Sequence, residues 1–346
     1  MFEVNGVKIG ENCLPYIIAE LSANHGGDIN RAKESIKAAK DAGASAVKLQ
    51  TYTPDTMTLN SKKEDFLIKE GLWAGYSLYE LYKEACTPFE WHKELFDFAK
   101  AIGITIFSTP FDETAIDLLE ELKTPAYKIA SFEITDLPLI KYAALKHKPM
   151  LISTGLANLN EVEQAVNCIR EQGNDKILLF HCISSYPAKL SDYQLGDIPF
   201  LKEKYNLNVG LSDHTISNQA AVLATALGAS AIEKHFKLDD KDCGPDSSFS
   251  ILPSQFKRLI KDCNIAFNAT KMKGLERPQS EKNNRKYRRS IYFIKDLPKG
   301  HIITQFDIKK VRPGYGLSPK FFEFIIGKTL NRNVEHAEPV SWDCFE

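Results

Sequence analysis

"VGLSDHTIS" (residues 209–217) and "AIEKHF" (residues 231–236) each start as a run of small and apolar residues of strand type. Each reaches a histidine, His214 and His235, with a carboxylate close by. Between them lies "SNQAAVLATALG", one helical length. The same strand-then-helix unit recurs upstream. Short runs that read as buried strands are "YIIAELS" (16–22), "SAVKLQTY" (45–52), "ITIFSTPF" (104–111), "AYKIASFE" (126–133), "PMLISTG" (149–155) and "KILLFHCIS" (176–184), followed by "NVGLSDHT" (208–215) and "SAIEKHF" (230–236). Segments of helical period separate them, among them "NRAKESIKAAKDAG", "TPFEWHKELFDFAKAIG" and "NLNEVEQAVNCIREQG". Several open on Asn, Thr or Ser and close on Gly, the asymmetry of real helix caps. Eight such strands over about 250 residues predict an α/β fold, a closed (β/α)8 TIM barrel. An open doubly wound sheet is the alternative, but no G-x-G-x-x-G follows the first strand.

Other stretches set the domain limits. In "FEVNGVKIG" an Asn-Gly pair between β-type runs predicts an N-terminal hairpin. Residues 1–270 read as the barrel with this hairpin, 271–289 as a polar linker and 290–346 as a small second domain. The linker's Arg285, Lys286, Arg288 and Arg289 read as a solvated charge run rather than a phosphate patch. In the second domain "SIYFI", "IKKVR" and "PVSWD" look like short strands. The connection 53–87 is long and carries Phe66, Trp73, Tyr76, Tyr79 and Tyr82, as a lid would, although "SLYELYKEA" also reads as an amphipathic helix lying on the barrel.

Composition narrows the function classes. Hydrophobic residues make up 43% and charged residues 26% with a net charge of -1, which points to a soluble globular protein without a nucleic-acid or membrane partner. No export signal or run of transmembrane length is visible. Seven cysteines without C-x-x-C spacing suit a reducing, cytoplasmic setting.

In such a barrel the chemistry sits at the C-terminal strand ends, and residues two apart on a strand share a face. Lys48 pairs in this way with Gln50, Ser131 with Glu133, Ser212 with His214, and Glu233 with His235; Glu20, Thr109 and Ser153 also fall at strand ends. Lys48 and Lys128, ringed by Ser131, Ser153 and Ser212, suit a phosphate ester. The plain alternative is that each lysine pairs with a glutamate such as Glu20 or Glu133. His214 and His235, on adjacent strands, suit one divalent metal acting as a Lewis acid on a carbonyl. His181 is a third histidine, but its facing is open. A metal hydrolase would need more histidines, including an H-x-H on the first strand; a sugar-phosphate binding protein would not need two at strand ends.

These motifs carry a resemblance. "IIAELSANHGG", "VKLQTY", "FSTPFD", "YKIASFE", "LISTG", "VGLSDHT", "AIEKHF", "GPDSSFS" and "VRPGYG", in order over nearly the whole chain, resemble the sialic acid synthase family. "KLQTYTPDTMTL", "EDFLIKEGLW" and "LYELYKEACTPFEWH" are more similar to its pseudaminic acid branch than to its N-acetylneuraminate branch. The resemblance implies condensation of phosphoenolpyruvate with an N-acylated amino sugar, with C–O cleavage and phosphate release, in bacterial glycan biosynthesis such as flagellin glycosylation. It implies a C-terminal antifreeze-like (SAF, β-clip) domain. It also implies manganese on His214 and His235, with Mg2+ or Co2+ as alternatives. Phosphoenolpyruvate would be held by Lys48, Lys128, Ser131, Ser153 and Ser212, with Gln50 and Thr109 nearby. Glu20, Glu133, Tyr186 and Asp246 would surround the sugar and the reacting carbons, Glu20 or Glu133 handling the water. Arg312 would reach the active site of the other subunit in a homodimer with exchanged C-terminal domains. Two departures, Ser247-Ser248-Phe249 after "GPD" and Ser184 in place of an Asn, imply an apolar ring beside Asp246 and a 6-deoxy acceptor.

Overall fold

Each of the eight strand-like runs forms a strand in the computed structural model, which describes residues 1–242, 244–271 and 274–346. Cys243 and the linker residues Met272 and Lys273 lie outside the described residues. A hairpin of β1 (Phe2–Val4) and β2 (Val7–Ile9) comes first, its turn formed by Asn5 and Gly6 with φ of 49° and 79°, the left-handed pair that matches strand twist. The strands β3 (Tyr16–Glu20), β4 (Ala46–Thr51), β5 (Thr105–Pro110), β6 (Tyr127–Ile129), β7 (Met150–Ser153), β8 (Ile177–Cys182), β9 (Asn208–Asp213) and β10 (Ala231–His235) follow. They pair in parallel in chain order, and β10 returns to β3 to close the barrel. The chain divides into two units, Met1–Lys271 and Met272–Glu346.

Alternation along the strands makes two layers. One row, including Tyr16, Ile18, Phe107, Leu151, Leu178 and Phe180, fills the barrel together with Phe2, Val4 and Ile9 of the hairpin. The other row, including Ile17, Val47, Ile106, Leu179, Leu211 and Ile232, packs on the helices. Full burial of each such side chain is worth roughly 1.5–3 kcal/mol, so a one-residue slip of any strand is excluded. Gly210 belongs to the inner row because a Cβ there would stand 2.6 Å from the Ala231 carbonyl oxygen and 2.8 Å from the Phe180 ring. The helices start and stop where expected: Asp28 caps Ile29–Ala42, which ends on left-handed Gly43, and Asn158 forms a capping box on Leu159–Arg170.

Two expectations are corrected, and a third point is decided between the two readings offered. The run 126–133 is a strand only to Ile129; Ser131–Glu133 is a 3-10 turn, so Ser131 and Glu133 do not alternate along a pleat. The chain must leave the sheet there, because Asp136 already caps the helix Leu137–Ala144. "SLYELYKEA" is a helix, Leu78–Ala85, launched by a Ser77/Glu80 capping box; before it the long connection forms a short helix, Pro54–Met57, a 3-10 turn, Glu64–Phe66, and a hairpin in which Leu67 bridges Ser77. In the second unit β11 (Ser290–Phe293) pairs with β12 (Ile308–Val311) over a core of Ile291, Phe293, Ile303, Ile325 and Leu330. "PVSWD" is no strand. Pro339 makes one isolated bridge to Tyr292, and Trp342–Cys344 is a 3-10 turn, as the missing proline N–H disfavours a continuing ladder. Residues 274–289 are all exposed, so the basic cluster is a solvated one.

Candidate active site

The inner row turns polar at the top of the barrel. Cross-strand register sets Glu20 beside Lys48 and His235, Gln50 beside Thr109, and Glu233 beside Ser212. A single buried electrostatic cluster results. Glu20 Oε2 is 3.1 Å from Lys48 Nζ, and Glu233 Oε1 is 3.3 Å from Lys48 Nζ and 3.4 Å from Lys128 Nζ. Ser212 Oγ donates to Glu233 Oε1 over 3.2 Å, Lys48 Nζ to Thr109 Oγ1 over 3.1 Å, and Gln50 Nε2 to Glu20 Oε1 over 3.0 Å. Both lysines are therefore paired with glutamates in the ligand-free chain, and the partner that links them is Glu233, not Glu133.

Burial and charge set the protonation. Burial alone would raise the Glu233 carboxyl, but Lys128 and Lys48 outweigh it and hold it down at about 2. Burial pushes Glu20 up to about 7 against the pull of Lys48. Burial likewise pushes Glu133 up to about 7. Its Oε2 is buried with no hydrogen-bond partner among the described residues. Of the two candidate carboxylates, Glu133 is thus the one not committed to an ion pair.

A cradle of hydroxyls lies on the β6–β8 side. Ser153 Oγ and Ser184 Oγ are buried without a hydrogen-bond partner among the described residues, and Ser131 Oγ donates to Cys182 Sγ at 3.5 Å. Gly155 permits this crowding: a Cβ there would stand 2.4 Å from Ser184 Oγ and 2.7 Å from Ser131 Oγ. Ser184 was not among the expected ligands. Its signal was its place two residues beyond inner-row Cys182.

The histidines stand opposite, their ring centroids 5.4 Å apart. The Ile183 carbonyl accepts from His214 Nδ1 at 2.8 Å, so Nε2 carries the lone pair. His235 Nδ1 is buried, has no hydrogen-bond partner among the described residues and lies 3.7 Å from Asp246 Oδ2. Burial holds the His235 imidazole well below its ordinary range, with His214 adding to the effect; a neutral ring is the form that ligates metal. Burial would lower the His214 imidazole, but Cys182 and the Ile183 carbonyl outweigh it and raise it, so a divalent ion there would displace its proton. With the Asp246 carboxylate alongside, the two rings fit such an ion, although no cluster of three or more His, Cys, Asp or Glu side chains among the described residues is arranged to hold one. His181 belongs to the outer row and its Nε2 bonds the Tyr193 carbonyl, so it is structural.

Against His235 and Tyr186 opens a cavity of about 500 Å³. Ser22, Gln50, Glu133, Tyr186, His235 and Asp246 line its polar side, and Ile68, Trp73, Leu78, Leu81 and Phe111 its apolar side. Tyr186 stacks on His214 at 4.4 Å. Phe249 is not in the wall as expected: it is buried behind, 4.8 Å from the His235 ring and 5.1 Å from Tyr186. The apolar face is instead built by the long second connection. Arg312 lies in the second unit, just after β12.

A parallel barrel with this polar crown, followed by a small β unit, defines a class, and the chain belongs to it: the NeuB family model matches residues 35–274 and the SAF domain model residues 288–346. The expected family is borne out. Within it, the chain is 45% identical over 335 residues to "Pseudaminic acid synthase" of Helicobacter pylori, covering 96% of this chain and 98% of that one. It is also 45% identical over 330 residues to "Pseudaminic acid synthase" of Campylobacter jejuni, covering 95% and 96%. Among solved structures, the N-acetylneuraminic acid synthetase of Leptospira borgpetersenii in complex with citrate superposes with a TM-score of 0.74 at 31% identity, covering 82% of this chain and 94% of that one.

Proposed function

We propose that the protein condenses phosphoenolpyruvate with 2,4-diacetamido-2,4,6-trideoxy-L-altrose and water, giving pseudaminic acid and phosphate. The near full-length likeness to pseudaminic acid synthases supports this reading. The observation that carries it is one buried crown that holds two lysines and two histidines, with a cavity of about 500 Å³ lined by Gln50, Glu133, Tyr186, His235 and Asp246 of the same strand ends and loops.

Lys48 and Lys128 hold the phosphate and carboxylate of phosphoenolpyruvate, with donors from Ser131, Ser153, Ser184, Ser212, Thr109 and Gln50. Such preorganised donors need no reorganisation as charge moves. Glu233 neutralises the lysines while the site is free, which lets two buried cations exist before the anion arrives. Tyr186 and Asp246 orient the open-chain sugar. His214 and His235 would hold a divalent ion, manganese by the resemblance, which when bound supplies Lewis-acid polarisation of the aldehyde. C3 of phosphoenolpyruvate attacks the aldehyde carbon, water adds at C2, and the tetrahedral intermediate expels phosphate by C–O cleavage. Glu133 positions that water and takes its proton, since it lines the cavity and has no ion pair among the described residues; Glu20 is held by Lys48 and Gln50. From the same resemblance we infer a homodimer in which Arg312 completes the acceptor site of the partner subunit.

The test is phosphate release from phosphoenolpyruvate with a panel of N-acylated amino sugars, before and after chelation and with Mn2+ restored. Turnover is expected with the trideoxy sugar, lost on chelation and regained with Mn2+. Release with N-acetylmannosamine alone would overturn the acceptor assignment.

A further inference from the structure

The second connection contributes more than cover. Residues 67–77 form a tight hairpin: Ile68 N donates to the Tyr76 carbonyl at 2.9 Å, and Gly75 N to the Ile68 carbonyl at 2.9 Å. Its turn runs through Gly71 and Gly75, with φ of 85° and 98°, conformations that other residues adopt only under strain. Trp73 sits between these glycines. Its indole Nε1–H donates to the Pro245 carbonyl at 3.0 Å, and its ring lies 5.8 Å from that of Tyr186. One side chain is thereby tied to both neighbours of the histidine pair: Tyr186 stacks on His214, and Pro245 precedes Asp246, which faces His235.

Trp73 also lines the cavity with Ile68, Leu78 and Leu81, facing the polar set of Glu133 and Asp246. Its only polar group is already used on Pro245, so the indole has nothing with which to satisfy a hydroxyl. We propose that Trp73 is a specificity-determining residue: fixed at the hairpin tip as the roof of the acceptor cavity, its apolar face selects an acceptor bearing a methyl group at C6 over one bearing a hydroxymethyl. This rests on the function proposed above, and sharpens it by naming the side chain that reads the 6-deoxy end. An apolar wall rejects a buried hydroxyl only moderately, by roughly 10–200-fold.

The experiment compares kcat/KM for the trideoxy acceptor and for its 6-hydroxy analogue, in the wild type and in Trp73→Phe, Trp73→Gln and Trp73→Ala, with the KM for phosphoenolpyruvate measured alongside. Trp73→Phe keeps an apolar ring and loses the N–H; Trp73→Gln keeps a donor and loses the apolar face. The preference for the deoxy acceptor is expected to stay within about threefold of wild type in Trp73→Phe and to fall about tenfold or more in Trp73→Gln and Trp73→Ala, with the phosphoenolpyruvate KM within about twofold. An unchanged preference in Trp73→Ala overturns the proposal, as does a preference lost in Trp73→Phe and kept in Trp73→Gln, which would assign the effect to the hydrogen bond. A parallel rise in the phosphoenolpyruvate KM overturns it too. A wild type that turns over neither acceptor overturns the proposed function itself; a wild type that uses the deoxy sugar and fails only these comparisons overturns this inference alone.

Discussion

Replacing Glu133 by Gln tests the electrostatics of the site without ligands. Burial raises the Glu133 carboxyl from an ordinary 4.5 to about 7. At about 1.36 kcal/mol per tenfold, the charged carboxylate costs the folded chain about 3 kcal/mol. The sign follows from proton binding. Below pH 4.5 the group is protonated in both folded and unfolded chains and the cost is absent; between 4.5 and about 7 the unfolded chain ionises first and stability is lost as pH rises. Above about 7 the loss is complete. Glu133→Gln keeps the shape and carries no charge, so it is expected to match wild type near pH 4.5 and to exceed it by about 3 kcal/mol at pH 8, read by urea unfolding at both values. Its kcat should fall by at least about 100-fold because the group that takes the proton from water is gone. Equal stability at both pH values would refute the buried-carboxylate reasoning. A more stable variant with normal kcat would uphold the electrostatics and remove Glu133 from the chemistry.

Lys128→Met is expected to raise the KM for phosphoenolpyruvate on the order of 100-fold, as loss of charge-assisted bonds to an anion should, with a smaller effect on the sugar KM. Lys234→Met should destabilise the chain by about 3–5 kcal/mol in chemical unfolding, because Lys234 Nζ, wholly buried, holds Asp213 Oδ2 at 2.7 Å and the Ser217 carbonyl at 2.8 Å. Adding Asp213→Leu should recover much of that loss; no recovery would refute the ion-pair reading. Arg312→Ala and His235→Ala are each expected to be inactive. Unfolded together and refolded at equal concentration, they should regain roughly a quarter of wild-type activity if Arg312 serves the partner's site, since half the dimers are mixed and each then has one complete site. No regain would place Arg312 in its own subunit's site or outside the chemistry.

The parts legible in sequence were those with a local period. Strand alternation places Lys48 with Gln50 and Glu233 with His235 on one face, and closure aims them at one axis, which is why the two histidines were read as a pair. Where the chain leaves the pleat, alternation fails: Ser131 and Glu133 sit on a 3-10 turn. Pairing across the barrel is not local either. Glu233 reaches Lys128 across 105 residues of sequence, so from sequence the shared carboxylate reads only as a same-face neighbour of His235. His181 is registered with Leu211, an odd number of residues from His214, which puts one among the helices and the other in the crown. The roof is the least legible part, because only the folded hairpin sets Trp73 beside Pro245 and Tyr186, while Phe249, adjacent in sequence to the site, packs behind it.

The central claim is carbon–carbon bond formation with C–O cleavage of phosphoenolpyruvate, and phosphoenolpyruvate labelled with heavy oxygen at the bridging position tests it most directly. With the trideoxy amino sugar as acceptor, mass spectrometry is predicted to find the label in inorganic phosphate and to find an unlabelled nine-carbon keto acid. Label retained in the organic product, or phosphate released with no condensed product, would contradict it.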